Sequence, residues 1–371
     1  MTAPLPPGPP PRPGERAEAT DVDRFEERID VRSPAEYAED HVPGAINLPV
    51  LDDAERARVG TLYVQGSAFE ARRMGAAIVA RNIARMVETH ARDKPPEWRP
   101  LVYCWRGGQR SRAVTLIFAE VGWRAVQLSG GYRAWRRHVV ESLSRPLDDL
   151  DLRVVCGVTG SGKSRLLAAL EAEGAQVLDL EGLARHRGSL LGDRPGDPQP
   201  SQKWFESQLH AALSRLDRTR PVYVESESKR IGSVQVPDAL LSAMRDARCV
   251  RLESPLALRI ELLKQDYAHF LDDADALAQR LVHLVPLHGR ALVGRWTDAA
   301  AARDHDTLVR ELLEVHYDPL YRRSIARNFP RHDEGWVAAV TGVDTEAFRA
   351  LARRIVAADT VAAGAALTAA P

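Results

Sequence analysis

The stretch GVTGSGKS at 157–164 follows directly on the apolar run LRVVC and leads straight into SRLLAALEAEG, a run of helix formers. It fits the pattern G-x-x-x-x-G-K-[ST] in the strand–loop–helix setting that the pattern requires. Gly157, Gly160 and Gly162 let the backbone approach phosphate oxygens without a Cβ in the way, and Ser161 adds its amide to the same turn. Lys163 neutralises the terminal phosphates, and the Ser164 hydroxyl is placed to ligate Mg²⁺. The pattern therefore calls for a polyphosphate, with no tightly bound cofactor expected and Mg²⁺ the one metal suggested. It does not say whether the ligand carries a nucleoside, and no further motif selects a base.

Around this loop, the runs AQVLDL, PVYVE and RCVRLE alternate with helical segments, and residues 255–358 read as largely helical. That alternation predicts a parallel α/β sheet over 152–358. Asp179, at the end of AQVLDL, and Glu225 and Glu227, at the end of PVYVE, stand where a carboxylate behind a phosphate-bound Mg²⁺ would come from. Ordinary loop carboxylates are the equal alternative.

A second junction of the same kind lies at 104–111. The buried run RPLVYC ends on Cys104, and Trp105, Arg106, Gly107, Gly108, Gln109, Arg110 and Ser111 lead into the amphipathic helix SRAVTLIFAEVGW. Gly107 and Gly108 allow successive amides to turn inward as an anion-binding nest. The helix N-terminus, Arg106 and Arg110 add positive charge, all favouring thiolate over thiol at Cys104 and making it a nucleophile. Such a cradle would hold a persulfide, a selenide adduct or a phosphate. The five residues between Cys104 and Arg110 are also the spacing of a cysteine phosphatase, in which Arg110 would clamp a phosphate. Cys156 and Cys249, both within apolar runs, read as small buried residues.

Strands and helices also alternate ahead of residue 143. RIDVR is a strand with Asp30 near its end. Ser33, Pro34 and Glu36 start a helix, and Val42-Pro43-Gly44 ends it. The 371 residues thus divide into a Pro-rich tail at 1–20, a first α/β domain at 21–143, a linker at 144–151, the second domain at 152–358 and a bland tail at 359–371.

With 51 basic and 51 acidic residues the chain has no net charge, so nucleic acid would have to meet local arginine patches. Arg72, Arg73, Arg81 and Arg85 form one candidate patch, and Arg133, Arg136 and Arg137 another; solvated helix faces are the plainer reading. Trp105, beside the nucleophile, is placed to stack on a splayed base or to pack in the core. His316, Tyr317 and Asp318 are further candidates for a site. No disulfide framework, membrane span or signal peptide is visible, which places the protein in the cytoplasm.

DVRSPAEYAEDHVPGAINLPV (30–50) resembles the opening signature of rhodanese-like sulfurtransferases, and LSGGYRAW (128–135) resembles the segment that closes that fold. The cysteine loop has one more residue before its arginine than the common rhodanese pattern, which implies a roomier cradle. The order of CWRGGQRS, GVTGSGKS, HRGSLLG (186–192), VESESKRIG (224–232) and LLEVHYDPLYRRS (312–324) is similar to that of the tRNA 2-selenouridine synthase family, as is ERARVGTLYVQGS (55–67). The resemblance spans about residues 20–355. It implies a bacterial enzyme with a rhodanese-like domain ahead of a P-loop domain. Its substrates would be tRNA carrying wobble 2-thiouridine, geranyl diphosphate and selenophosphate, with S-geranylation followed by selenium replacement through Cys104. Two other readings stay open: a P-loop kinase or ATPase with a regulatory rhodanese module, and a sulfur-carrying binding protein.

Overall fold

The runs LVY at 101–103 and VQL at 126–128 are buried along their whole length, as strands are in a parallel sheet covered by helices on both faces. The computed structural model describes residues 16–368 apart from Leu190 and Pro195. It is α/β, with two parallel sheets in two units. One unit runs to Leu143 and also takes in Pro200–Ala211; the other comprises the rest of the chain.

In the first unit β1 (Arg16–Ala17), β2 (Arg28–Asp30), β3 (Ala45–Asn47), β4 (Leu101–Tyr103) and β5 (Val126–Leu128) lie in the order β1-β5-β4-β2-β3, all parallel. Around them run α1 (Pro34–Glu39), α2 (Asp53–Gln65), α3 (Ala68–Glu88), α4 (Gln109–Val121) and α5 (Gly131–Leu143). Helix α1 starts as its sequence dictates: Pro34 is at the first position, and the Glu36 carboxylate accepts the Ser33 amide at 3.1 Å. Ile29, Val102, Val114 and Phe118 fill the core, with Cys104 among them. Of the expected tail at 1–20, residues 1–15 lie outside the described residues. Arg16 and Ala17 instead form the edge strand, pairing with Gln127 and Leu128.

The second unit has β6 (Leu152–Cys156), β7 (Gln176–Leu178), β8 (Val222–Glu225), an antiparallel pair β9 (Arg230–Ile231) and β10 (Val234–Gln235), β11 (Arg248–Glu253) and β12 (Trp336–Ala339). Its sheet order is β12-β11-β6-β8-β7, all parallel. Helices α6 (Lys163–Ala172), α7 (Leu180–Ala184) and α9 (Asp238–Asp246) connect the strands, together with α8 (Gln202–Ser214), most of which belongs to the first unit. Beyond β11 come α10 (Leu256–Asp266), α11 (Ala268–Leu271), α12 (Ala274–Leu281), α13 (Val285–His288), α14 (Arg290–Ala301), α15 (His305–Glu311), a π turn (Leu312–Tyr317) and α16 (Asp318–Asn328), then β12 and α17 (Thr345–Thr368).

Two differences from the sequence reading stand out here. Strand β12 interrupts the stretch read as helical, and α17 continues to Thr368, into the stretch read as a tail. Residues 369–371 lie outside the described residues. Among the described residues no helix is long and apolar enough to cross a membrane.

Candidate active sites

Strand β4 lies at the centre of the first sheet, and Cys104 follows its last residue. Ligands of open α/β sheets collect at such carboxyl ends. The Cys104 thiol is buried, and the Ser111 hydroxyl, from the first turn of α4, donates to its Sγ at 3.2 Å. Gln127 reaches across from β5 and donates to the Ser111 hydroxyl at 2.8 Å and to the carbonyls of Gly107 and Gly108. The loop is therefore held from beneath by a side-chain chain, β5 to α4 to thiol.

The first turn of α5 holds it from the side. The amides of Tyr132 and Arg133 donate to the carbonyls of Cys104 and Trp105, at 2.8 and 3.0 Å. Gly131 sits so close that a Cβ there would collide with the Cys104 carbonyl oxygen, and its φ of 60° is one that side chains resist. Tyr132 in turn donates to Asp40 at 2.7 Å and lies under the Arg32 guanidinium, 3.9 Å from ring centroid to Cζ. Arg32 is 1% exposed, paired with buried Asp30 at 2.6 Å, and donates to the Asp40 carbonyl. The DVR and GGY segments, far apart in sequence, thus form one buried network that fixes the backbone at Cys104.

Two expected cations of this loop differ in state. Arg106 is exposed at the loop tip. Arg110 is not a free charge over the cradle: it pairs with Glu36 at 2.9 Å. Burial pushes the Glu36 carboxyl up, but the Arg110 guanidinium outweighs it and holds the carboxyl below its usual range. Trp105 is half-buried against Tyr132, with ring centroids 5.2 Å apart.

In the second unit, the P-loop runs from β6, between β8 and β11, into α6. Gly162 has φ 91° and lies against Phe348 of α17, so a Cβ there would strike the Phe348 ring. Lys163 Nζ donates to the Gly157 carbonyl at 2.7 Å and lies 5.4 Å from the Tyr321 ring centroid. The Gly157 amide donates to Tyr321 Oη at 2.6 Å. Ser161 is buried, and its carbonyl accepts the Ser254 hydroxyl. Arg259 donates to the Thr159 carbonyl at 3.0 Å while paired with Asp318 at 2.5 Å. Asp318 therefore supports the P-loop from behind, while His316 and Tyr317, on the π turn, line its cavity.

The carboxylate at Ser164 is Glu181, which accepts its hydroxyl at 2.9 Å. Glu225 Oε1 accepts the Glu181 amide at 2.7 Å, and Glu225 Oε2 is buried without a hydrogen bond. Burial holds the Glu225 carboxyl well above its usual range, helped by Asp179, Glu181 and Glu227. Burial, reinforced by Glu181 and opposed by Lys163, pushes Glu227 up to about 8. Among the described residues no three His, Cys, Asp or Glu side chains converge on a metal. A phosphate-bound Mg²⁺ asks for less, one or two protein oxygens beside phosphate and water. Ser164 and Glu181 fit that demand.

The P-loop faces a cavity of about 560 Å³ that also receives Glu181, Arg187, Glu227 and Tyr321. Next to it is a smaller, apolar cavity. Thr159, Ser189, Leu263, Tyr267 and Tyr317 line both.

The family model for the tRNA 2-selenouridine synthase AAA domain matches residues 150–282, and that for the rhodanese-like domain matches residues 15–138. The tRNA 2-selenouridine synthase of Nitrosomonas europaea is 35% identical over 269 residues, 70% of this chain and 67% of that protein. That of Alcanivorax borkumensis is 32% identical over 329 residues, 81% of this chain and 89% of that protein. The chain belongs to the tRNA 2-selenouridine synthase family. That of Cupriavidus necator, 34% identical over 325 residues, covers 79% of this chain and 86% of its own length. Members of the family are enzymes, and this chain is one.

Within this synthase-family chain several candidate residues take places the sequence did not foresee. Asp179 caps α7, accepting the Gly182 amide at 2.7 Å, and the carboxylate at Ser164 is instead Glu181, two residues on. Arg136 is committed to an ion pair with Glu206, while Arg133 and Arg137 are exposed. Arg72, Arg73, Arg81 and Arg85 are exposed on α3. Cys156 is buried beside Cys249; that contact, with burial, pushes its thiol up and suits a packed residue. Sequence reasoning missed Glu181, Arg259 and Tyr321. Tyr321 lies in a segment the family resemblance had already flagged, whereas nothing local sets Glu181 apart from other loop carboxylates.

Proposed function

We propose that this enzyme converts wobble 2-thiouridine of tRNA to 2-selenouridine in two steps, S-geranylation at the P-loop and selenium replacement through Cys104. The observation that carries the first step is the apolar cavity that opens beside the phosphate cradle and shares its wall at Thr159, Leu263 and Tyr267. A diphosphate with a hydrocarbon tail uses both halves of that arrangement. A nucleoside triphosphate would leave the apolar half without a purpose.

In the geranyl step the P-loop amides and Lys163 bind the diphosphate of geranyl diphosphate. The thiouridine sulfur attacks the first carbon of the chain, the bond from that carbon to the diphosphate oxygen breaks, and the N3 proton is lost to water. Ser164 and Glu181 would hold Mg²⁺, which when bound neutralises charge on the departing diphosphate. Geranylation turns the sulfur into a leaving group. The selenium of selenophosphate then attacks C2, the C2–S bond breaks as geranyl thiol departs with a proton, and water cleaves the Se–P bond to release phosphate and leave selenium on C2. For that step the Cys104 loop supplies a thiol with a hydroxyl donor at its sulfur, loop amides and the exposed Arg106 to receive a small anion.

The exposed arginines of α3, with Arg133 and Arg137, suit local phosphate contacts by a chain of zero net charge. Trp105 stands beside the thiol with part of its ring open to a base. The test is direct. Incubation with 2-thiouridine tRNA and geranyl diphosphate should give S-geranyl-2-thiouridine, and adding selenophosphate should give 2-selenouridine, read by nucleoside mass. Nucleotide turnover indifferent to tRNA, with no geranylated product, would overturn the reading.

A further inference from the structure

Alkylation of the thiouridine sulfur releases the N3 proton, and the carboxylates of the P-loop cavity are otherwise engaged. Glu181 accepts the Ser164 hydroxyl, Asp266 is paired with Arg165 at 2.6 Å, and Glu227 lies in the field of Lys163. Among the described residues the cavity receives one imidazole, that of His316. The π turn that carries it is a rare helix geometry, frequent at functional sites.

His316 is 6% exposed, and its Nδ1 lies 2.9 Å from Nε2 of His288, on α13. Its own Nε2 has no hydrogen-bond partner among the described residues. His288 is half-buried, so the pair leads from the cavity wall toward water. The charges on neighbouring elements are engaged elsewhere. Glu311 of α15 accepts the Trp296 indole N–H and pairs with Arg295, both on α14. Asp318 of α16 pairs with Arg259 of α10, and Arg187 lies over the Tyr267 ring. Tyr317 meets His316 edge-on, with ring centroids 4.7 Å apart. Burial, and then His288, hold the His316 imidazole below its usual range, so it is neutral and able to accept a proton at neutral pH.

We propose that His316 is the general base of the geranyl step, taking the N3 proton of 2-thiouridine on Nε2 and passing its Nδ1 proton to His288. The proposal rests on the P-loop cavity being where the thiouridine sulfur is alkylated, and it adds the group that removes the proton. The N3–H bond breaks as the bond from sulfur to the first geranyl carbon forms, which draws electron density from N3 onto the sulfur and strengthens the nucleophile. The proton ends on Nε2 of His316, the Nδ1 proton crosses to Nε2 of His288, and His288 gives its own Nδ1 proton to water. That direction requires both rings to start with their protons on Nδ1.

The experiment follows single-turnover geranyl transfer to 2-thiouridine tRNA by the full-length protein from about pH 5 to 8, read by nucleoside mass. The wild-type rate should fall as pH drops through the His316 value, below the ordinary imidazole range. His316→Asn should lose about 10²- to 10⁴-fold in rate, together with that acid limb. Its equilibrium binding of geranyl diphosphate should stay at the wild-type level. Added imidazole should restore transfer to His316→Ala in proportion to its concentration, which a purely structural residue would not allow; if that variant does not fold, His316→Asn decides. His288→Leu should slow transfer and move the acid limb to higher pH, because His288 holds the His316 value down; an unchanged rate and limb would remove His288 from the path. A His316→Asn protein with the wild-type rate and pH profile would overturn the proposal and leave the geranyl reading standing. A wild type that forms no geranylated product at any pH would overturn that reading, and the proposal with it.

Discussion

The Ser164 hydroxyl donates to the Glu181 carboxylate across 2.9 Å, and the Glu181 amide donates to Glu225. The N-terminal end of α6 is thereby tied to α7 and to the end of β8 through one residue, Glu181. Glu181→Ala should lower geranyl transfer about 10- to 100-fold, the usual cost of losing a group that orients a metal ligand, and should raise the Mg²⁺ concentration needed. Initial rates across a Mg²⁺ titration check this; an unaltered Mg²⁺ dependence would count against Glu181.

The two glycine positions around Cys104 should respond in opposite ways. Gly131→Ala places a methyl against the Cys104 carbonyl oxygen at a φ of 60°. It should cost roughly 1–3 kcal/mol for the backbone alone, with the collision in addition. Gly108→Ala meets nothing within 4 Å and has a negative φ, so its fold should be close to wild type. Chemical denaturation of the two proteins separates them.

Acid should weaken the first unit through His210. Burial, and then the neighbouring His138, depress the His210 imidazole from 6.5 to about 4. The unfolded chain therefore takes up a proton below pH 6.5 that the folded chain refuses until about pH 4. Stability present above pH 6.5 is lost as pH falls through that window, by roughly 3 kcal/mol in all. Unfolding free energy measured from pH 7 to 4 should show this slope, and His210→Gln should flatten it.

The two loops were legible in the sequence because each is a local object. An apolar run, glycines and a helix start within about fifteen residues carry the geometry, and the start of α1 at Ser33, Pro34 and Glu36 is legible for the same reason. The supports were not. Arg110 finds Glu36 across 74 residues, and Tyr132 finds Asp40 across 92. The apolar cavity is assembled from α11, α12, α15 and the π turn, whose leucines look like any helical core until the helices are packed. Strand β12 was hidden because WVAA is short and sits between helices. Asp179 directly follows its strand, but its carboxylate serves as a helix cap, and the place at Ser164 is taken by Glu181.

The most direct measurement uses two variants with 2-thiouridine tRNA, geranyl diphosphate and selenophosphate, followed by nucleoside mass analysis. Cys104→Ala should accumulate S-geranyl-2-thiouridine and form no 2-selenouridine, and Lys163→Ala should leave 2-thiouridine unconverted. Full selenation by Cys104→Ala together with full geranylation by Lys163→Ala would contradict the assignment of the two steps to these two loops.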